Sequence, residues 1–151
     1  MNYLLDTHVF LWMAAEPERL SLTVREIVEQ DTNNLFLSAA SAWEVSLLWK
    51  IGRIELREEP STFVHIAIHS LGITPLAIGF DTAMTAATLP FIHRDPFDRI
   101  LVAEAIKNGL TLLSKDQIIP RLYVENEWKV IKKEAKEDFS ICRRGRSPLV
   151  C

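Results

Sequence analysis

Long apolar runs are missing from this chain of 151 residues. None approaches the roughly 20 residues that a membrane-spanning helix needs, so a bilayer protein is not expected. The first residues, Met1-Asn2-Tyr3-Leu4-Leu5-Asp6, have no basic segment ahead of an apolar one, which argues against a signal peptide. Cysteine is scarce. Cys142 and Cys151 both lie in the last ten residues and cannot staple a core, and free thiols suit a reducing compartment. The expected setting is therefore the cytoplasm. No internal repeat, low-complexity tract or interdomain linker interrupts the chain.

An excess of basic charge is also lacking. Residues 1–131 hold 11 Lys and Arg against 17 Asp and Glu, a balance of -6, whereas residues 132–151 hold 6 against 3, a balance of +3. An acidic body does not favour wholesale coating of nucleic acid, which is driven by Lys and Arg displacing counterions from phosphates. A hydrophobic content of 48% in a chain of this size is enough for one sizeable core. Residues 1–131 are therefore expected to form one domain, and the charged segment 132–151 a mobile tail.

Short β-like runs alternate with longer helical ones. Tyr3 to Leu5, Leu35 to Leu37, Ile73 to Ile78 and Leu110 to Leu113 read as strands, and Trp128 to Ile131 as a fifth. Pro75 places the third at a sheet edge or trims its start. Helices are expected through Val9 to Met13, after Ser21, over 39–51 up to Gly52, over 61–71 up to Gly72, from Asp81 to Leu89, and over 96–108 up to Gly109. This alternation predicts an α/β fold: a parallel sheet covered by helices on both faces, which binds ligands outside the carboxyl ends of its strands.

Four carboxylates stand at the starts of these helices: Asp6, Glu44, Asp98 and Asp116. Each has a purely structural explanation. Asp6 reads as an N-cap, Ser41-x-x-Glu44 as a capping box, Asp95-Pro96-Phe97-Asp98 as a cap with a proline and a first-turn acid, and Asp116 as another first-turn acid. Asp81 is assigned to capping alone. Helical spacing argues further for two of the four. Glu44 shares a face with Leu47, Leu48 and Ile51, and Asp98 with Leu101, Val102 and Ala105, so both acids are expected to look inward. A buried carboxylate is costly unless paired or bound to a cation. Lys50, Arg94, Arg99 and Lys115 are candidate partners, while a hard divalent cation would suit a cluster of oxygen donors.

Taken together, Leu4-Leu5-Asp6-Thr7-His8, Ser38-Ala39-Ala40-Ser41-Ala42-Trp43-Glu44, His93-Arg94-Asp95-Pro96-Phe97-Asp98-Arg99 and Leu112-Leu113-Ser114-Lys115-Asp116 resemble the PIN-domain ribonucleases of the VapC toxin type. The resemblance covers about residues 1–131. It implies a three-layer α/β/α sandwich with a parallel sheet of four to five strands. It also implies a Mg²⁺ or Mn²⁺ site made by Asp6, Glu44, Asp98 and Asp116, and hydrolysis of RNA phosphodiesters. Asp6 and Asp98 would be the inner ligands, Thr7 and Ser114 supporting hydroxyls, and Asp95 the cap. Arg94, Arg99 and Lys115 would be possible contacts to substrate phosphates. A homodimer and a cognate antitoxin covering the acids are implied as partners.

His8 and His93 could serve as bases or ligands, although a lone histidine is more often packed. Trp12, Trp43, Trp49 and Trp128 read as core or interface rather than as base-stacking platforms. A haloacid-dehalogenase-type phosphatase would need a second Asp where His8 stands, and a receiver domain would normally show an adjacent acidic pair ahead of its phosphoacceptor strand, which is not found. A PIN-fold module that binds RNA or protein without cutting, and a housekeeping RNA-processing nuclease, remain the alternatives.

Overall fold

A computed structural model describes residues 1–89, 95–115 and the strand at 130–132. His93, Arg94, Asp116, Trp128 and the segment 133–151 expected to be mobile lie outside the described residues. The sheet has five parallel strands: β1 (Asn2–Leu5), β2 (Asn34–Ser38), β3 (Thr74–Leu76), β4 (Thr111–Ser114) and β5 (Val130–Lys132). Their order is β3-β2-β1-β4-β5, which puts the proline-bearing β3 at an edge as expected. The helices are α1 (Thr7–Ala15), α2 (Leu22–Val28), α3 (Ala39–Lys50), α4 (Pro60–Ser70), α5 (Phe80–Thr88) and α6 (Pro96–Asn108).

The central strands are apolar throughout because both faces of the sheet are covered. Alternate residues serve opposite sides. Tyr3, Leu5 and Leu113 enter a core with Val9, Phe10, Trp12, Val45 and Phe63. Leu4 and Leu112 join Leu101, Val102 and Ala105 of α6 on the other face. The result is the expected α/β/α sandwich. No helix among the described residues is long and apolar enough to cross a membrane.

Local chemistry sets the helix ends. Ser21 caps α2, and Asp95 caps α6 ahead of Pro96. Gly109 ends α6 in the left-handed region, φ 62°, where a side chain would be strained. Two capping assignments need correction. The cap of α3 is Ser38, whose hydroxyl accepts from the Ala40 amide at 3.0 Å, so Ser41-x-x-Glu44 is not a capping box. Helix α5 begins at Phe80 with Gly79 as its cap, leaving Asp81 in the first turn, where it pairs with Lys107 at 3.3 Å.

The strand order reverses around β1. From β1 the chain builds outward through β2 to β3, then returns to the other side of β1 for β4 and β5. Such a switch point opens a crevice at the carboxyl ends of the flanking strands, here β1 and β4. Asp6 follows β1 directly, and Ser114 is the last residue of β4.

Candidate active site

At that crevice Asp6 is almost fully buried, 4% exposed. Its Oδ1 accepts from the His8 amide at 2.6 Å, capping α1, and its Oδ2 accepts from the Ser114 hydroxyl at 2.5 Å. The Asp6 amide donates to the Leu113 carbonyl, so β1 and β4 fix the acid from both sides. Asp6 therefore both caps α1 and ties it to the end of β4. Burial is the largest influence on its pKa and pushes it up. The His8 ring, whose Nδ1 lies 3.6 Å from Oδ1, the His8 amide and the Ser114 hydroxyl together outweigh burial and hold the carboxyl below its usual value. Asp6 is thus kept ionised inside the protein.

Thr7, also buried, turns its hydroxyl to the second acid and donates to Glu44 Oε2 at 2.5 Å. Glu44 reaches the site from the N-terminal half of α3, where Ala40, Ser41 and Val45 are buried. The expected inward face was only partly right. Leu47 is 36% and Ile51 62% exposed, because the small residues that let α3 approach the core, Ala40 and Ser41, lie in its first turns. Burial pushes the Glu44 pKa up. The Thr7 hydroxyl and His8 oppose that shift, while the negative charges of Asp6 and Asp95 add to it. Asp6, Glu44 and Asp95 therefore form one electrostatically linked group.

Asp95 accepts from the Phe97 amide at 2.8 Å, as a cap should, and its charge also reaches Glu44, which the sequence reading did not anticipate. Asp98 lies in the first turn of the same helix on the face of Leu101, Val102 and Ala105, all buried as expected. Asp116, two residues beyond Ser114, falls outside the described residues. Among the described residues no three His, Cys, Asp or Glu side chains are grouped closely enough to hold a metal on their own.

The basic residues depart from expectation. Arg99 is 7% exposed, its side chain turned into the protein. Its guanidinium donates to the carbonyls of Ala86, at 3.0 and 2.7 Å, and of Leu89, at 2.6 Å, closing the end of α5 onto α6. The signal was its spacing: Val102 and Ala103, three and four residues on, are both buried, so Arg99 had to face inward with them. The Lys115 ammonium is likewise buried, 5.4 Å above the Trp12 ring. His8 packs against Trp12, and Trp12 is core as expected, whereas Trp43 is 57% exposed. A further acid was missed: Glu104 of α6 is 1% exposed, with neither oxygen in well-formed hydrogen-bond geometry among the described residues.

With the acids and their supporting hydroxyls in place, residues 3–125 match the PIN-domain family model. The chain belongs to the PIN-domain family. Ribonuclease VapC22 of Mycobacterium tuberculosis is 36% identical over 118 residues, covering 76% of this chain and 86% of the relative. Ribonuclease VapC16 of the same organism is 36% identical over 62 residues, covering 41% of this chain and 43% of the relative. Among solved structures, VapBC2 from Rickettsia felis bound to promoter DNA superposes with a TM-score of 0.63 at 12% identity, covering 87% of this chain and 98% of that one. DNA-bound VapBC from Salmonella typhimurium gives 0.60 at 14% identity, with the same two coverages, 87% and 98%. At such identities these structures support the PIN fold alone.

Proposed function

We propose that this PIN-domain protein is an endoribonuclease that hydrolyses RNA phosphodiesters with the help of Mg²⁺ or Mn²⁺, and that it is the toxin of a toxin–antitoxin pair. One observation carries the reading: Asp6 and Glu44, each braced by a buried hydroxyl, meet at the switch point of the sheet in a chain 36% identical to a ribonuclease.

The residues fit a hard divalent cation. Their donors are carboxylate oxygens, and the repulsion that Asp6 and Asp95 exert on Glu44 is what a cation would offset. Asp6, Glu44 and Asp98 would hold it only together with Asp116, because the described acids are not grouped closely enough to do so alone. The bound ion would supply Lewis acidity, lowering the pKa of a water and stabilising charge on the phosphate oxygens. The protein's own contribution is unequal between its acids. Asp6 arrives ionised and immobile. Glu44, whose pKa burial raises, is the acid whose ionised form a cation would stabilise most. Thr7 and Ser114 orient the carboxylates so that their remaining lone pairs face the crevice chemistry.

The same reading supplies the partners: an RNA substrate, a second copy of the chain and an antitoxin protein, in the cytoplasm. Its test is RNA mapping after induced expression of the wild type and of Asp98→Asn. New RNA 5′ ends are expected with the wild type alone, at equal protein levels. Matching cleavage patterns in the two strains would refute the assignment of Asp98.

A further inference from the structure

The acidic site leaves one question of substrate binding open. The two described basic residues expected to meet phosphates, Arg99 and Lys115, are both turned inward. Beside the acids stands a different kind of contact surface. Trp43 immediately precedes Glu44 and is 57% exposed, an unusual position for so large an apolar side chain. Its ring meets that of Phe97, the neighbour of Asp98, edge to face at 5.0 Å between centroids and 74° between planes. The aromatic pair thus bridges the two helices that bring Glu44, Asp95 and Asp98 to the site. Trp43 also walls a groove of about 280 Å³ between α3 and α4, lined further by Ser46, Ser61, Val64 and His65.

We infer that Trp43, buttressed by Phe97, is a stacking platform for an unpaired nucleobase of the RNA next to the bond being cut. The inference rests on the nuclease reading of the same site. A single-stranded RNA presents a π-face at every nucleotide, and stacking needs no positive charge, so it can hold substrate on an acidic body without calling on Arg99 or Lys115. The Phe97 edge fixes the indole before substrate arrives, which lowers the entropy cost of the contact. Trp43 precedes Glu44 on α3 and Phe97 precedes Asp98 on α6, so the ring contact between them stands where the two acid-bearing helices meet. Within the groove, the Ser46 hydroxyl donates to the Ala42 carbonyl and His65 Nδ1 is bonded to the Ser61 carbonyl, which leaves the Ser61 hydroxyl and His65 Nε2 as the polar groups of its lining.

The test uses the purified full-length protein with Mn²⁺ and short 5′-labelled single-stranded RNAs of mixed sequence. A matched set carries one abasic ribose beside the cleaved bond. Trp43→Ala is expected to lower kcat/KM on intact RNA about tenfold, mainly through KM, with Trp43→Phe keeping most of the wild-type value. On the abasic RNA, wild type and Trp43→Ala are expected to converge. Equal cleavage of intact RNA by wild type and Trp43→Ala would overturn the inference, and so would an equal loss on both substrates. It would also be overturned if Trp43→Ala cleaved normally but lost self-association or antitoxin binding, since the face would then be a protein contact. Failure of the wild type to cut any RNA would overturn the nuclease reading and this inference with it, an outcome distinct from a failure of Trp43 alone.

Discussion

Replacing Glu104 by methionine should stabilise the protein, and more so at alkaline pH. The side chain lies on α6, which packs against α3, and is 1% exposed, with neither carboxyl oxygen in well-formed hydrogen-bond geometry among the described residues. Burial raises its pKa, and the nearby Ser38 hydroxyl offsets that only in part. A buried polar group without partners costs about 1–3 kcal/mol even when neutral. Methionine, similar in length and adaptable in packing, removes that cost. A second contribution depends on pH. Between the unfolded pKa, about 4.3, and the higher folded value, the native protein holds a proton that the unfolded chain has released. Wild-type stability therefore falls as pH rises through that window and stays lowered above it. Glu104→Met has no such proton, whereas the similar contribution of Glu44 is common to both proteins and cancels. Urea denaturation at pH 5 and pH 8 measures the difference. The variant should exceed the wild type by about 1–3 kcal/mol at pH 5, worth about 2–4 °C in Tm per kcal/mol, and by more at pH 8. A destabilised variant, or an advantage that does not grow with pH, would show that the carboxyl has a favourable partner and refute the reasoning.

Two further outcomes follow from the hydrogen bonds. Thr7→Val removes the hydroxyl that holds the Glu44 pKa down, so that pKa should rise further and the alkaline shift should appear in the pH profile of cleavage. Metal affinity, titrated with Mn²⁺, should weaken about 10-fold or more, and an unchanged affinity would detach Thr7 from the site. Arg99→Met should lower stability by about 3 kcal/mol, because it strips the Ala86 and Leu89 carbonyls of their charged donor. Chemical denaturation measures it, and a neutral result would mean that the end of α5 re-pairs with water.

Strands and helix stops were legible because each is written locally. Ser21, Asp95-Pro96 and Gly109 act through their own backbone, and β1 and β4 are continuous apolar runs because both sheet faces are covered. The position of Asp6 was legible for the same reason, since it follows a strand directly. What depends on packing was not. Helical spacing cannot tell that α3 meets the core through Ala40 and Ser41 and leaves Ile51 in solvent. Nor can it tell that an arginine beside the acids would be spent on the carbonyls of α5. The pairings Ser114–Asp6 and Thr7–Glu44 join residues 108 and 37 positions apart, and only the family pattern suggested those hydroxyls had a role.

The central claim is that Asp6 and its neighbours hold a divalent cation that RNA cleavage requires. The most direct measurement is calorimetric titration of Mn²⁺ into the purified wild type and into Asp6→Asn, with cleavage of single-stranded RNA followed on the same samples. Binding and cleavage together in the wild type, both abolished by Asp6→Asn in a protein with an unchanged circular dichroism spectrum, is the expected result. Cleavage that persists in Asp6→Asn, or in wild type held in excess EDTA, would contradict it.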